Sequence, residues 1–317
     1  MIFLYLAIIL ICFVFVFKSA DILVSSSSVI AERFGLPPVF IGVVLVGVGT
    51  SAPEIFVTLA ASLSSHPGIV MGNALGSIAA NSGIAMAIIF WLYDRGWRKA
   101  SSEDKDGIGF PFIFLNFLFL CVGSFGMIFL FKNEISRAWG IVLLILMVLY
   151  FWSTAKINRN FFAAVSVKSP VSAHFLYFAL SLGVLLICCK IIVFASSEVA
   201  HLAGVSEFII GLTIIAVGTS LPEIATSLIA MRQGRLGIAV GDLVGSQALN
   251  LYLLLGLSAT VAPIKVGDSL FVFGWLFLFL GEICFFLWDK KIPSRVKSLI
   301  LFVTYVLYLF FNIGCMR

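Results

Sequence analysis

Charged residues are scarce in this chain: Lys, Arg, Asp and Glu together make up 11% of its 317 residues. Soluble domains carry about a quarter charged residues, so the composition excludes that class. Hydrophobic residues reach 62%, the mean hydropathy is +1.16, and Phe alone occurs 32 times. Apolar runs of about 20 residues, the length that crosses a bilayer, recur from Ile2 to the C-terminus. The chain is therefore predicted to be an all-α polytopic membrane protein embedded in a lipid bilayer.

Side chains that perform catalysis or hold resident metals are also few. The three histidines, His66, His174 and His201, fall at predicted span ends or loops, so they assemble no nucleophile–base pair or metal triad inside the membrane. The six cysteines lie in or beside apolar runs without metal or disulfide spacing and are interpreted as small hydrophobic residues. The net charge of +5 comes without a basic stripe or an aromatic platform. Neither an enzyme, nor a cofactor, nor a nucleic-acid partner is expected.

Apolar runs between polar segments indicate ten transmembrane spans, at 2–34, 37–64, 68–93, 108–131, 138–155, 173–203, 207–231, 236–262, 268–288 and 298–316. With the N-terminus outside, the cytoplasmic loops hold 14 of the 20 Lys and Arg residues and the outer segments hold 4. Because cytoplasmic loops are enriched in these residues, both termini are predicted to lie outside. The short connector and the absence of a regulatory domain favour a prokaryotic inner (plasma) membrane.

An internal repeat organises these spans. Residues 41–59 align without gaps to 210–228, with 10 of 19 positions identical, and the same offset of 169 pairs 68–81 with 237–250 at 7 of 14. This register predicts two five-helix repeats, 1–155 and 173–317, joined by a cytoplasmic connector at 156–172. Since five is an odd number, the repeats must be inverted relative to each other, as in many secondary transporters.

Each repeat interrupts an apolar run with Gly-Thr-Ser-X-Pro-Glu. Proline has no N–H, so Pro53 and Pro222 are expected to break helices 2 and 7 and to free the carbonyls of Gly49 and Gly218. Backbone groups freed within a membrane need a new partner. The broken helices therefore predict a polar site inside the bilayer.

Oxygen-bearing side chains surround each break. Glu54 and Glu223 lie near the centres of their spans, where an unpaired acid costs roughly 2.5–3.5 kcal/mol. The same motif supplies four hydroxyls, and the second repeated block supplies two Ser and two Asn in i, i+4 pairs on one helical face: Thr50, Ser51, Thr219 and Ser220; Ser77, Asn81, Ser246 and Asn250. Hard oxygen donors of this kind bind Ca²⁺ or Na⁺. Glycines beside the second pairs, at 72, 76, 241 and 245, allow close helix approach.

The motifs GTSAPE with GNALGSIAAN, and GTSLPE with GDLVGSQALN, resemble the two α-repeats of the prokaryotic-type sodium/calcium exchanger family, within the calcium/cation antiporter superfamily. The resemblance implies a functionally monomeric antiporter that exchanges Ca²⁺ for Na⁺ by alternating access. It implies Glu54 and Glu223 as central Ca²⁺ ligands shared with Na⁺. The Ser and Asn side chains above, together with main-chain oxygens near Gly47, Thr50, Ala216 and Thr219, would complete adjoining Na⁺ sites.

Three features of the site need separate comment: the coupling ion, Asn250 and Asp242. Buried carboxylates can also carry protons, so a Ca²⁺/H⁺ antiporter on the same scaffold is the alternative. Asn250 replaces an Asp found in some prokaryotic and potassium-dependent relatives, which leaves a site charge of −2 from Glu54 and Glu223 and does not favour K⁺ co-transport. Asp242 is expected to be a solvated vestibule acid or, alternatively, an additional cation-attracting group.

The remaining charges within spans are interpreted as structural. Lys18 is predicted to pair with Asp21 on one helix face, or Lys190 with Asp21 between spans 1 and 6. The functional alternative is that Lys190 lowers cation affinity or biases the movement of these two spans. Glu198 and Glu282 are interpreted as interfacial or polar packing residues.

Overall fold

The computed structural model describes residues 2–92, 108–129, 134–157, 171–203, 216–266 and 291–315, and nine single positions between 267 and 290. Nearly all of these residues are helical. The helices, followed by the two short strands, are α1 Ile2–Phe34, α2 Pro38–Thr50, α3 Ala52–Leu63, α4 Pro67–Leu92, α5 Phe110–Phe129, α6 Arg137–Ile157, α7 Val171–Leu202, α8 Ala216–Thr219, α9 Leu221–Arg232, α10 Leu236–Val261, α11 Ser294–Cys315, β1 Glu134–Ile135 and β2 Ile264–Lys265.

Six helices in the described part of the chain are long and apolar enough to cross a membrane, or seven if a bent pair is counted as one span. They are α1, α4, α6, α7, α10 and α11, with α2 and α3 forming the bent pair. The first part of predicted span 7, residues 207–215, and most of predicted span 9 lie outside the described residues. A polytopic helical membrane protein is therefore confirmed, and the count of ten spans stays a prediction.

The predicted break in span 2 is present: α2 and α3 meet at Ser51 at an angle of 50°. Pro53 lies in the first turn of α3, where its missing N–H costs no hydrogen bond. Ser220 has nearly the same backbone angles as Ser51, with φ −86° and ψ 5° against −80° and 6°. One expectation is wrong: the Gly49 carbonyl is not freed, because a backbone N–H at the end of α2 donates to it.

The centre of the molecule is a close crossing of α2 and α10. A Cβ built on Gly241 would lie 2.3 Å from the Val39 carbonyl oxygen, and one on Gly245 would lie 2.7 Å from Val43 Cα. Glycine at these positions lets the two backbones touch, as predicted for Gly241 and Gly245. The same expectation for Gly72 and Gly76 is wrong, because a Cβ on either would meet no described atom within 4 Å. All residues of α10 from Leu236 to Ala248 are buried. The helix before the first break thus comes from one half of the chain, and the helix packed on it from the other.

Outer helices surround this crossing. α1 and α7 pack against each other, α11 packs on α4, and α6 packs on the C-terminal part of α10. β1 and β2 form a two-stranded antiparallel pair that joins the segments beside α6 and α10. The residues after α9 are tied to α1, since Gln233 Nε2 donates to Asp21 Oδ1 (2.9 Å) and Arg235 pairs with Glu32 (3.2 Å).

The predicted lysine pairs are wrong. Lys18 and Lys190 are both exposed, and among the described residues neither forms an ion pair with Asp21. The side-chain amide of Gln233 donates to the Asp21 carboxylate instead, at 2.9 Å. Glu282 is a polar packing residue as expected, because Thr304 Oγ1 donates to its Oε1 at 2.8 Å.

Candidate functional site

Glu54 and Glu223 lie together in the interior. Each side chain is 1% exposed, and Ser51, three residues before Glu54, donates to Glu223 Oε1 at 2.9 Å, which brings the two motifs together. Both oxygens of Glu54 and Oε2 of Glu223 have no hydrogen-bond partner. Buried polar atoms are nearly always paired, so three orphaned carboxylate oxygens in one place indicate a ligand that is itself a donor or a cation.

Ser51 links the two halves of the chain at this point. Its Oγ lies 2.9 Å from Glu223 Oε1 and 3.1 Å from Ser246 Oγ. A hydroxyl has one hydrogen, and the carboxylate is the stronger acceptor, so Ser51 donates to Glu223. Ser51 also lies at the break between α2 and α3, so the bend in the helix determines where its hydroxyl meets Glu223 and Ser246.

The second repeated block contributes polar atoms that also lack partners. Ser77 on α4 and Asn250 on α10 are buried, as are their repeat equivalents Ser246 and Asn81. Ser77 Oγ, both amide atoms of Asn81 and Asn250 Oδ1 have no hydrogen-bond partner. Asn81 and Asn250 lie in the π-helical stretches Asn81–Met86 and Leu249–Leu254, a distortion common at functional sites.

The remaining predicted ligands are distributed less evenly. Thr50 is fully buried and Ser220 Oγ is buried without a partner, whereas Thr219 is half-buried. The Gly47 carbonyl accepts the Ser51 N–H at 3.0 Å and lies 3.3 Å from Thr50 Oγ1. Ala216 begins α8, and its side chain lies outside the described part.

Asp242 is not a solvated vestibule acid, and that expectation is wrong. It is 0% exposed, and its Oδ1 accepts from Thr50 Oγ1 at 3.1 Å. Its Oδ2 accepts from Thr226 Oγ1 and from Ser227 Oγ, the latter at 3.1 Å. The repeat contained a signal for this position, because Asp242 is the repeat equivalent of Asn73. In the structure Asn73 Nδ2 donates to Thr58 Oγ1 at 2.8 Å, so this repeat position faces a neighbouring helix in the first half as well.

No described Lys or Arg forms an ion pair with any of the three buried acids. The described residues also contain no group of three His, Cys, Asp or Glu side chains close enough to hold one metal ion together. The site is therefore a carboxylate pair with hydroxyl and amide neighbours, and Asp242 lies beside that pair. Such a site has the donors for a hard cation and lacks those for a soft metal.

Comparison with known proteins identifies the family of this chain. A family model described as "Sodium/calcium exchanger protein" matches residues 4–155 and 173–314. The chain belongs to the sodium/calcium exchanger family. Among similar proteins, the inner membrane protein YrbG of Escherichia coli K12 is 29% identical over 96% of this chain and 95% of that protein. The sodium/calcium exchanger MaX1 of Methanosarcina acetivorans is 27% identical over 96% of this chain and 98% of its own length.

The fold is also that of a solved exchanger. The structure of the sodium-calcium exchanger NCX_Mj soaked with 10 mM Na⁺ and zero Ca²⁺ superposes with a TM-score of 0.79, covers 100% of both chains and is 23% identical. At this level of identity the likeness shows the exchanger fold. Family membership places the chain among membrane transporters of cations.

Proposed function

We propose that this chain is a secondary active antiporter that exchanges Ca²⁺ for Na⁺ at a mid-membrane site built on Glu54 and Glu223. The observation that carries the proposal is the set of three buried carboxylate oxygens without a partner, beside which no described residue supplies a positive charge. Two like charges in a low-dielectric interior are stable only when a bound cation or proton compensates them. The compensating charge is the cargo.

The donor set supports Na⁺ and Ca²⁺ as that cargo. Ca²⁺ takes six to eight oxygen ligands, and carboxylates, hydroxyls, amide oxygens and carbonyls all serve. The unpaired oxygens of Ser77, Ser220 and Asn250 lie in the same buried region as the two glutamates and extend the set beyond the carboxylates. One carboxylate pair cannot hold a full load of both ions, so Ca²⁺ and Na⁺ compete, and competition at one site is the basis of exchange. MaX1 and NCX_Mj, both named sodium/calcium exchangers, support the same coupling.

The architecture proposed for this function is ten helices in two inverted repeats, with both termini outside a prokaryotic inner membrane and one chain as the functional unit. The gapless repeat at an offset of 169 supports the inversion. The matching backbone angles at Ser51 and Ser220 support a second broken helix. The family match at 4–155 and 173–314 leaves out the residues proposed as the connector.

The test is ⁴⁵Ca²⁺ uptake into proteoliposomes loaded with Na⁺ and diluted into Na⁺-free buffer. The unmodified chain should accumulate Ca²⁺, and Glu54→Gln or Glu223→Gln should reduce uptake to that of empty vesicles, because each removes half the carboxylate pair. Glu282→Gln is the matched control: it neutralises another acid of the membrane region, bonded to Thr304, and should leave uptake intact. Uptake that follows a pH gradient and ignores Na⁺ would contradict Na⁺ coupling and favour the Ca²⁺/H⁺ alternative.

A further inference from the structure

Gln247 on α10 and Ser82 on α4 form a buried polar pair between the two halves of the chain. Both residues are 0% exposed, and Gln247 Nε2 lies 2.9 Å from Ser82 Oγ. Ser82 Oγ also lies 2.8 Å from the Ile78 carbonyl oxygen, which can only accept a hydrogen bond. The single hydrogen of the hydroxyl is used on that carbonyl, so Ser82 accepts from Gln247 and the orientation of the amide is fixed. Gln247 Oε1 therefore points away from Ser82, and it is buried without a hydrogen-bond partner among the described residues.

The repeat has apolar residues at the matched positions. At the offset of 169, Gln247 corresponds to Ile78 and Ser82 to Leu251, and both of these side chains are buried. The fold therefore accommodates apolar residues at such places and needs no polar pair for its packing. Burial of an amide with one atom unpaired is unfavourable, so the pair is better explained by what it holds in place.

The bond joins two segments that carry proposed ligands. Ser82 directly follows Asn81 in the π-helical stretch of α4. Gln247 directly follows Ser246 and lies three residues before Asn250 on α10. Asn81 and Asn250 are both buried, and each has side-chain atoms without a partner among the described residues. The pair thus fixes the distance between α4 and α10 beside these side chains, while the amide nitrogen that makes the bond is a donor and cannot itself bind a cation.

We propose that Gln247 is a positioning residue that determines cation selectivity, because its bond to Ser82 keeps α4 and α10 at the spacing that fits Ca²⁺. The inference rests on the proposed Ca²⁺/Na⁺ exchange and deepens it by naming what sets the size of the site. Selectivity among hard cations depends on the size of the cavity and on the flexibility of its ligands. Without the bond the two helices can separate slightly, and the enlarged site then favours a larger ion of the same charge, such as Sr²⁺.

The experiment compares Ca²⁺ and Sr²⁺ as substrates of the full chain in Na⁺-loaded proteoliposomes. Gln247→Met keeps the length of the side chain without its amide, and Ser82→Ala removes one oxygen atom. In each variant the half-saturating Ca²⁺ concentration should rise roughly 2- to 10-fold, the range for loss of one neutral hydrogen bond, and that of Sr²⁺ should rise less. The ratio of half-saturating Sr²⁺ to half-saturating Ca²⁺ should therefore fall at least about twofold. The double variant should show no larger shift than either single variant, because both remove the same bond.

Asn116→Leu is the matched control. Asn116 is another buried amide, 2% exposed, and its Oδ1 accepts from the Tyr150 hydroxyl at 2.7 Å. It lies on α5, which carries none of the proposed ligands. This variant also removes a buried amide hydrogen bond, and it should leave the ratio of Sr²⁺ to Ca²⁺ unchanged even where it lowers thermal stability.

The outcomes separate this inference from the function beneath it. Absence of Na⁺-driven Ca²⁺ uptake by the unmodified chain would overturn the proposed exchange itself. Normal exchange with an unchanged ratio of Sr²⁺ to Ca²⁺ in Ser82→Ala would overturn the role of Gln247, and this variant keeps the test available where Gln247→Met reduces the folded yield. An equal shift in Asn116→Leu would also overturn it, since that result would mean a general loosening of the protein. Additive shifts in the double variant would show that the two residues act separately and would contradict the inference as well.

Discussion

Replacing Gly241 by Ala should separate α2 from α10 and weaken ion binding. The added Cβ would lie 2.3 Å from the Val39 carbonyl oxygen and 3.0 Å from Gly42 Cα, while ordinary contacts begin near 3.4 Å. Both obstacles are backbone atoms, which cannot rotate away as a side chain would. The helices must therefore move apart by about 1 Å at this point, a form of overpacking that costs roughly 1–3 kcal/mol.

The same movement acts on the site because α2 and α10 carry its contacts. Thr50 Oγ1 to Asp242 Oδ1 and Ser51 Oγ to Ser246 Oγ both measure 3.1 Å. A shift of about 1 Å would take both distances to roughly 4 Å, beyond hydrogen-bond range. Since about 1.4 kcal/mol is a factor of ten in affinity, we expect at least a tenfold rise in half-saturating Ca²⁺ and Na⁺.

The assay compares Gly241→Ala with Gly183→Ala in the same vesicles and in detergent. A Cβ on Gly183, in α7, meets no described atom within 4 Å, so this control makes the same substitution without a clash. The affinity for transported Ca²⁺ and Na⁺ and the midpoint temperature of thermal unfolding should both decrease for Gly241→Ala. Both should remain unchanged for Gly183→Ala. Equal behaviour of the two variants would refute the argument that the helix spacing at the crossing sets the site geometry.

Two further substitutions test single contacts. Ser51→Ala removes the hydroxyl that donates to Glu223. Because a hydrogen bond to a charged group is worth about 1.5–3 kcal/mol, Na⁺ affinity in the flux assay should fall roughly 10- to 100-fold. An unchanged affinity would show that another group orients this carboxylate. Tyr150→Phe removes the buried 2.7 Å hydrogen bond to Asn116 Oδ1. It should lower the free energy of unfolding in detergent by about 0.5–2 kcal/mol and leave the transport affinity unchanged. The control Tyr177→Phe, at an exposed position, should change neither quantity.

Much of the site could be predicted from the sequence because the membrane makes charge informative. Glu54 and Glu223 stand out as acids in apolar spans, and the repeat places both beside a proline that breaks a helix. The break at Ser51 and the close approach at Gly241 follow from local rules, since proline lacks an N–H and glycine lacks a Cβ. These features depend on residues that are close together in the sequence, so local rules are enough to predict them.

The errors arose where the tertiary environment decides. Asp242 lies six residues after the start of α10, a distance typical of a span end, yet α10 is buried from its first residue because other helices cover it. Lys18 and Asp21 have the spacing of a helical pair, but Gln233 from a distant part of the chain takes the carboxylate. Helical periodicity predicts neither the burial of Asp242 by helices distant in sequence nor the competition of Gln233 for Asp21.

The pattern of contacts also restricts which helices can move during transport. Ser51 donates to Glu223, Thr50 donates to Asp242, and Ser62 Oγ donates to the Ser258 carbonyl at 2.8 Å, so site helices from the two halves of the chain are bonded to each other. Separating those halves at the site would break polar contacts in an apolar solvent, where the freed groups find no water. α1 and α7 pack against each other at the periphery and carry many exposed apolar side chains. Sliding this pair exchanges mainly apolar contacts and, among the described residues, breaks the exposed contacts of Gln233 with Asp21 and of Arg235 with Glu32. We therefore expect access to alternate through α1 and α7 while the buried, bonded core stays fixed.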